Sequence, residues 1–204
     1  MRFVKMFFMV TMFAFVLPAV QAVDEHKLVQ TWVKPEYEGA RFTRMIVVGI
    51  AGLTDERKQF EDKFLTHLRG RNIDGITSHS IVPHLDRVED REALIRALHA
   101  EGIEAAITVR LVRLDQQTEQ EWAEAWGRQP GSGIRIRDLV EQTLPEPEKD
   151  ARHYGVEVAL WEADQWSIIW AARSDRYKRK ELKKAAAPFV QRTMVELIDA
   201  GIIP

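Results

Sequence analysis

The chain has 204 residues, of which 46% are hydrophobic and 29% charged, and it contains no cysteine. This composition is that of a folded globular protein and excludes a disordered or fibrous chain. Without cysteine there is no disulfide framework, cysteine nucleophile, thiolate zinc site or iron–sulfur cluster. The formal net charge of −2 argues against nucleic acid as the main partner, because such partners are bound by basic surfaces.

Residues 1–22 have the pattern of a cleavable secretory signal peptide. Arg2 and Lys5 precede an apolar block from Met6 to Val20, and Ala22 is a small residue at the expected cleavage site. A membrane anchor is the alternative, but a helix of that length reaches only about 22 Å across a hydrocarbon core of about 30 Å. We therefore expect a periplasmic protein with no transmembrane span after cleavage. A lipid anchor needs an N-terminal cysteine, so we expect no lipidation.

The mature chain is predicted to fold as an extended arm followed by a single α/β domain with a mixed sheet. The arm covers residues 23–43, and its aromatic side chains Trp32, Tyr37 and Phe42 are expected to hold it to the domain, which covers residues 44–204. The first half of the domain reads β-α-β-α-β, the pattern of parallel strands covered by helices. These elements are a strand over 44–50, a helix capped by Thr54 with Phe60, Phe64, Leu65 and Leu68 on one face, a strand over Ile76–Val82, a helix over Arg87–Ala100 and a strand over Ala105–Leu114. Asn72 and Gly102 are the predicted helix C-caps.

Residues 115–150 form a long insertion, rich in Gln, Glu, Pro and Gly, in which we expect a short helix over Glu119–Trp126. A β-hairpin follows, with strands over Arg152–Ala163 and Gln165–Ser174, and Trp166, Ile168 and Trp170 are expected on one face. A closing helix ends near Ala200 with Gly201 as its cap. Because Pro188 suits a first turn, this helix is expected to begin near Ala185 or to kink at the proline.

No motif in the sequence indicates catalysis, and we expect no cofactor, no metal and no catalytic residue. Gly49-Ile-Ala-Gly52 lies between a strand and a helix but matches neither a dinucleotide-binding motif nor a P-loop. His79 and His84 would bind a metal only with a third ligand from elsewhere. Ser132 lies in a Gly-Ser-Gly sequence without the surroundings of a hydrolase nucleophile.

Two sets of side chains are candidates for an interaction surface. The basic run from Arg173 to Lys184 would contact an anionic surface or an acidic protein, and its positive charge opposes the dipole if it begins a helix. Tryptophans in the insertion and at the hairpin turn provide a candidate stacking surface for a small molecule or glycan. The candidates are Arg173, Arg176, Lys178, Arg179, Lys180, Lys183, Lys184, Trp122, Trp126 and Trp166. Alternatively, the charged side chains of the basic run are only solvated, and the tryptophans belong to the core. We expect a core position for Trp170.

Several segments resemble a family of uncharacterised bacterial periplasmic proteins and lipoproteins. The segments are Met45-Ile-Val-Val-Gly-Ile50, Arg57-x-x-Phe60-Glu61-Asp62, Ala105-Ala-Ile-Thr-Val-Arg-Leu111, Val156-Glu-Val-Ala-Leu-Trp161 and Ser167-Ile-Ile-Trp-Ala171. The order of elements matches over Arg44 to Ile203. The resemblance implies a fold similar to the TolB amino-terminal domain and to the penicillin-binding-protein activator LpoB, whose relatives act by protein contact in the envelope. It supplies no catalytic residues, and this chain lacks the cysteine that tethers the lipoproteins.

These observations favour an exported, non-enzymatic interaction or assembly accessory of the cell envelope, with envelope proteins as partners. The alternative is a periplasmic binder of a small molecule or glycan through the tryptophan-containing surface. An unrecognised hydrolase is a third hypothesis. It requires a cleft that holds an Asp, Glu or His side chain with a shifted pKa.

Overall fold

The computed structural model describes residues 28–35, 37–38, 42–50, 54–81, 88–114, 153–163 and 167–204. The predicted signal peptide, residues 1–22, and the predicted 115–150 insertion lie outside these ranges. The described chain forms one domain with a six-stranded mixed sheet and helices on both faces, which confirms the predicted fold class. Within these ranges no helix is long and apolar enough to cross a membrane.

The sheet has the strand order β1-β6-β5-β4-β2-β3. The strand β2 pairs in parallel with β3 and β4, as the β-α-β-α-β pattern predicts. The pairs β4–β5, β5–β6 and β6–β1 are antiparallel. The strands are β1 Leu28–Val33, β2 Arg44–Ile50, β3 Asp74–Thr77, β4 Ala105–Leu114, β5 His153–Glu162 and β6 Ser167–Ser174.

The predicted N-terminal arm supplies a strand of the sheet. Residues Leu28–Val33 form β1, which pairs with β6 at one edge. Trp32 and Tyr37 are half-buried and Phe42 is buried, so all three aromatic side chains lie against the domain. Sequence analysis predicted an extended segment here but not a sixth strand, because the partner strand lies about 140 residues further along the chain.

The helices are α1 Thr54–Arg69, α2 Ser78–Ile81, α3 Val88–Ala100 and α4 Arg179–Asp199. Helices α1 and α4 bury their apolar side chains in the main core on one face of the sheet. The rings of Phe60 and Phe189 join these two helices edge to face, with centroids 5.9 Å apart. On the opposite face, Leu94 and Leu98 of α3 pack on β2 and β4. Burial of both sheet faces explains the nearly continuous apolar sequence of β2.

Three predicted elements are corrected by the structure. The strand predicted over Ile76–Val82 ends at Thr77, where α2 begins, because the backbone N–H of His79 donates to a buried carboxylate. Ile168 and Trp170, predicted on one face with Trp166, lie on opposite sides of the sheet, because the β5–β6 pairing has a register shift. Trp166 lies outside the described residues.

The closing helix begins at Arg179, six residues earlier than Ala185, and runs through Pro188. The carboxylate of Glu181 accepts a hydrogen bond from the backbone N–H of Lys178 at 2.9 Å and so caps this earlier start. The apolar face then continues from Leu182 through the proline. The predicted C-caps are confirmed, since Asn72 and Gly102 have φ values of 59° and 61°.

The long helices α1 and α4 both begin at the sheet edge where β2 and β4 end. Helix α1 comes after β2 in the chain and returns along the sheet. The strand β6 is parallel in direction to β4, because both pair antiparallel with β5, so α4 also begins at this edge. We call this the carboxyl edge. In parallel sheets it is where ligand and catalytic sites usually lie.

Candidate functional site

A buried carboxylate, Glu61 on the second turn of α1, lies at the centre of a polar cluster behind the carboxyl edge. Its side chain has no exposed surface, and Arg57, one turn earlier, is only 3% exposed. Glu61 Oε1 accepts hydrogen bonds from Gly49 N at 2.7 Å, Arg57 Nε at 3.0 Å and Ser78 Oγ at 2.6 Å. Glu61 Oε2 accepts from His79 N at 2.9 Å and lies 2.7 Å from His79 Nδ1.

The cluster contains a serine, a carboxylate and a histidine, but it is not arranged for nucleophilic catalysis. Ser78 Oγ is fully buried, donates to Glu61 and accepts from Arg57 Nη2 at 2.7 Å. His79 contacts the other carboxylate oxygen, and its Nε2 lies 3.3 Å from Asp62 Oδ1. A nucleophile needs a base within hydrogen-bond reach and access to substrate. Here the serine lies 2.6 Å from a carboxylate oxygen but is fully buried, so it has no access to substrate, and the cluster fastens α1 to β2 and to the β3–α2 junction.

Gly49 is needed at the end of β2 because α1 approaches the strand closely at this point. A Cβ at this position would lie 2.6 Å from Arg57 Cγ and 3.1 Å from Glu61 Oε1. The absence of a side chain therefore lets the backbone N–H of Gly49 reach the carboxylate. The Gly49-Ile-Ala-Gly52 sequence thus has a packing role at Gly49, while residues 51–53 lie outside the described ranges.

An apolar cleft opens beside this cluster, between the first turns of α1 and α4. It is small, with a volume of about 10 Å³, which is room for about one water molecule. Side chains from both helices and from the β4–β5 pair line it, and no polar surface is exposed inside. The lining residues are Gly49, Arg57, Phe60, Val109, Leu111, Val156 and Leu182. No sequence pattern predicts this cleft, because each lining residue on its own has the pattern of a core position.

Two buried tyrosines lie where the chain enters α4. Tyr154 and Tyr177 exchange backbone hydrogen bonds of 2.8 Å in each direction. Tyr154 has no exposed surface, and its hydroxyl has no hydrogen-bond partner within the described part of the chain. Burial raises the pKa of Tyr177 to about 12. The phenol of Tyr177 is therefore a neutral group at physiological pH.

The basic run begins in β6 and continues into the first turns of α4, which is the case in which its positive charge opposes the helix dipole. Arg173 is half-buried in β6, and Arg176 is exposed. Lys178, Lys180 and Lys184 are exposed at the beginning of α4. Within the described ranges these three lysines make no ion pair. The side chains of Arg179 and Lys183 are outside what the structure describes.

The tryptophan and histidine predictions are tested only in part. Trp161 and Trp170 are 0% and 1% exposed, so both belong to the core, as predicted for Trp170. Trp161 Nε1 donates to Thr108 Oγ1 at 2.9 Å. Trp122, Trp126 and Trp166 of the candidate stacking surface, like His84 and Ser132, lie outside the described residues. Among the residues described, no three His, Asp or Glu side chains come together as a metal site.

Sequence analysis missed the polar cluster, although one signal was present. Arg57 and Glu61 are spaced four residues apart, and Glu61 directly follows Phe60 on a helix whose apolar face includes Phe64. A charged pair at that position would have to be buried with the apolar face. The Ser78 and His79 partners were not predictable, because they depend on where β3 ends.

Comparison with known proteins does not place the chain in a family. No family model matches. No curated protein matches either. Among solved structures, the PelC dodecamer from Paraburkholderia phytofirmans aligns with a TM-score of 0.42 and 11% identity, over 82% of this chain and 93% of that chain. A point variant of the same dodecamer aligns with a TM-score of 0.41 and 10% identity, over 80% and 93% of the two chains. Similarity at this level supports no conclusion about function, and the resemblance to TolB and LpoB stays a prediction.

Proposed function

We propose that this chain is an exported, non-enzymatic interaction or assembly protein of the cell envelope, and that it binds an anionic partner surface through the beginning of α4. The observation that carries this proposal is the set of exposed lysines at positions 178, 180 and 184. The first turn of a helix carries partial positive charge, so Lys178 and Lys180 lower the stability of the helix, while Lys184 lies one turn further on. They gain no compensating ion pair within the described ranges. A binding role accounts for residues that the fold itself does not favour.

The proposal is also supported by the polar cluster and by the N-terminal sequence. In the described serine, carboxylate and histidine assembly the serine hydroxyl is fully buried between Glu61 and Arg57, which supports a role in packing. The signal-peptide pattern of residues 1–22 supports periplasmic location. The missing cysteine supports a protein that is not lipidated. The alternative, a binder of a small molecule or glycan, keeps Trp122, Trp126 and Trp166 as its predicted surface.

Charge reversal at the beginning of α4 separates the binding role from a role in stability. In the variant Lys180→Glu/Lys184→Glu, the new carboxylate at position 180 lies in the first turn and suits the helix dipole, so the free energy of unfolding should stay unchanged or rise by about 0.3–1 kcal/mol. Binding to an anionic partner should be lost. The matched control is Lys58→Glu/Arg69→Glu, which reverses two exposed charges on α1.

The assay is cross-linking in intact cells, with a photoreactive residue at the exposed position Ala187. Wild type and the α1 control should give the same specific adduct, and the α4 variant should lose it. Cell fractionation with a protease-accessibility test should find the protein in the periplasm. Equal adducts from all three proteins, or a cytoplasmic location, would refute the proposal.

A further inference from the structure

We infer that a second copy of this chain pairs with the outer edge of β1, so that the two sheets join into one across a two-fold axis. The contact is antiparallel pairing of β1 with β1 of the second copy, centred on Trp32. The inference concerns a surface between copies of this chain. It does not depend on the lysines that are proposed to bind an anionic partner.

The backbone of β1 has hydrogen-bonding groups on its outer side. Within the described ranges, β6 is the strand that pairs with β1. The N–H of Lys34 donates to the carbonyl of Ile169 at 2.8 Å, so alternate residues face β6 and those between them face outward. The N–H and C=O groups of Thr31 and Val33 therefore point away from the sheet, and both residues are exposed. An edge with such groups is a template for another strand.

The positions of these groups select one register. The β1–β6 pairing is irregular between Leu28 and Gln30, and Pro35 has no N–H, so regular pairing is limited to the stretch between them. In that stretch, Thr31 can pair with Val33 of the second copy, and Val33 with its Thr31. Antiparallel pairs of this kind exchange two bonds each, which gives four backbone hydrogen bonds. The arrangement is two-fold symmetric, as an interface between identical surfaces requires.

The same register brings two indole rings together. Trp32 would lie opposite Trp32 of the second copy in a non-hydrogen-bonded pair, where the Cα atoms are about 4.5 Å apart and the side chains are closest. Trp32 packs against Ala171 on the sheet face opposite α1 and α4, and it is half-buried. The second indole would cover its exposed part. Aromatic pairs across neighbouring strands stabilise a sheet.

Apolar exposure, charge and size also fit a second copy of the chain. Of the large apolar side chains that the structure describes, Val33 and Val195 are exposed, and the elements that carry them, β1 and α4, contact each other. In the register centred on Trp32, Lys34 lies opposite Gln30, so no like charges are directly opposite each other. The strand has 6 residues, fewer than the about 20–30 residues a side of a standard interface, so the dimer is weak and reversible.

Sedimentation velocity of the purified protein over a range of concentrations tests the inference. We expect a monomer–dimer equilibrium with a dissociation constant of about 10–100 μM, because the interface is small. Val33→Pro removes one outward N–H from each copy, and hence two of the four hydrogen bonds, so the dimer should weaken at least about tenfold. Since this N–H faces away from β6, proline is tolerated there and Tm should stay close to the wild-type value. The matched control Val33→Thr keeps the N–H and should dimerise like wild type.

Disulfide cross-linking tests the register, because the chain has no cysteine of its own. In the paired strands, the Cα atoms at position 32 of the two copies would lie within the about 4.4–6.8 Å that a disulfide spans. Trp32→Cys should therefore give a disulfide-linked dimer under mild oxidation. In the control Pro35→Cys, the two cysteines would be about 20 Å apart along the strands. That variant should stay monomeric on a non-reducing gel.

Three outcomes would overturn the inference. They are a protein that stays monomeric at concentrations well above the expected dissociation constant, a dimer that Val33→Pro does not weaken, and equal disulfide cross-linking of Trp32→Cys and Pro35→Cys. If Val33→Pro lowers Tm, Val33→Lys serves the same purpose, because a lysine on an edge strand opposes the addition of another strand. It should weaken the dimer and leave Tm unchanged.

Discussion

Replacing Glu61 with glutamine should destabilise the domain strongly, because no orientation of the amide satisfies the cluster. One carboxylate oxygen accepts hydrogen bonds from Gly49, Arg57 and Ser78, and the other accepts from His79. An amide NH₂ at either position would face a backbone donor. The substitution also removes the negative charge that lies 3.0 Å from the buried guanidinium of Arg57.

The expected loss in the free energy of unfolding follows from the burial of the Arg57–Glu61 ion pair. Breaking a buried ion pair by removing one partner costs about 3–5 kcal/mol. For a domain of this size that corresponds to a fall in Tm of about 6–20 °C. The double variant Arg57→Met/Glu61→Gln should be less destabilised than the sum of its two single variants, because it leaves no uncompensated charge.

Urea unfolding followed by the fluorescence of the buried tryptophans Trp161 and Trp170 measures this effect. The matched control is Asp62→Asn, the neighbouring carboxylate, whose side chain is 50% exposed. It should change the free energy of unfolding by less than about 0.5 kcal/mol. A loss of less than about 1 kcal/mol for Glu61→Gln would refute the view that this cluster fastens α1 to the sheet.

Three further measurements test other features of the fold. Gly49→Ala should cost about 1–3 kcal/mol, because the new Cβ would lie 2.6 Å from the Cγ of the buried arginine. Gly70→Ala, where the nearest atom is 3.5 Å away, should be tolerated. Thr108→Val should cost about 1–3 kcal/mol in urea unfolding by leaving the indole N–H of Trp161 unpaired. The raised pKa of Tyr177, about 12, means that its phenol ionises later in the folded than in the unfolded chain. Stability should therefore fall as the pH rises from about 10 to 12, and Tyr177→Phe should reduce this fall in alkaline unfolding curves; an unchanged curve would contradict the burial of the phenol.

The elements that local sequence patterns determine were predicted well. The strand from Arg44 to Ile50 and the hairpin followed from apolar and alternating runs. The caps at Asn72 and Gly102 followed from residues that tolerate positive φ. Local sequence patterns carry no information about which distant segments pair. The role of Leu28–Val33 as an edge strand was therefore not predicted.

The errors arose where a tertiary contact overrides a local preference. Proline at position 188 favours a helix start, but the capping carboxylate of Glu181 and the apolar face after it place the start earlier. The second strand ends early because a carboxylate from α1 accepts the N–H of His79. The cleft and the unpaired Tyr154 hydroxyl depend on how two helices separated by more than a hundred residues lie side by side, which no short segment encodes.

The pairing of β1 with β6 has a consequence for folding kinetics. The first described strand to be synthesised has as its partner the last strand of the sheet, with about 140 residues between them. Closing such a loop is entropically costly, and non-local pairing slows folding. The sheet therefore cannot be completed until almost the whole chain is available.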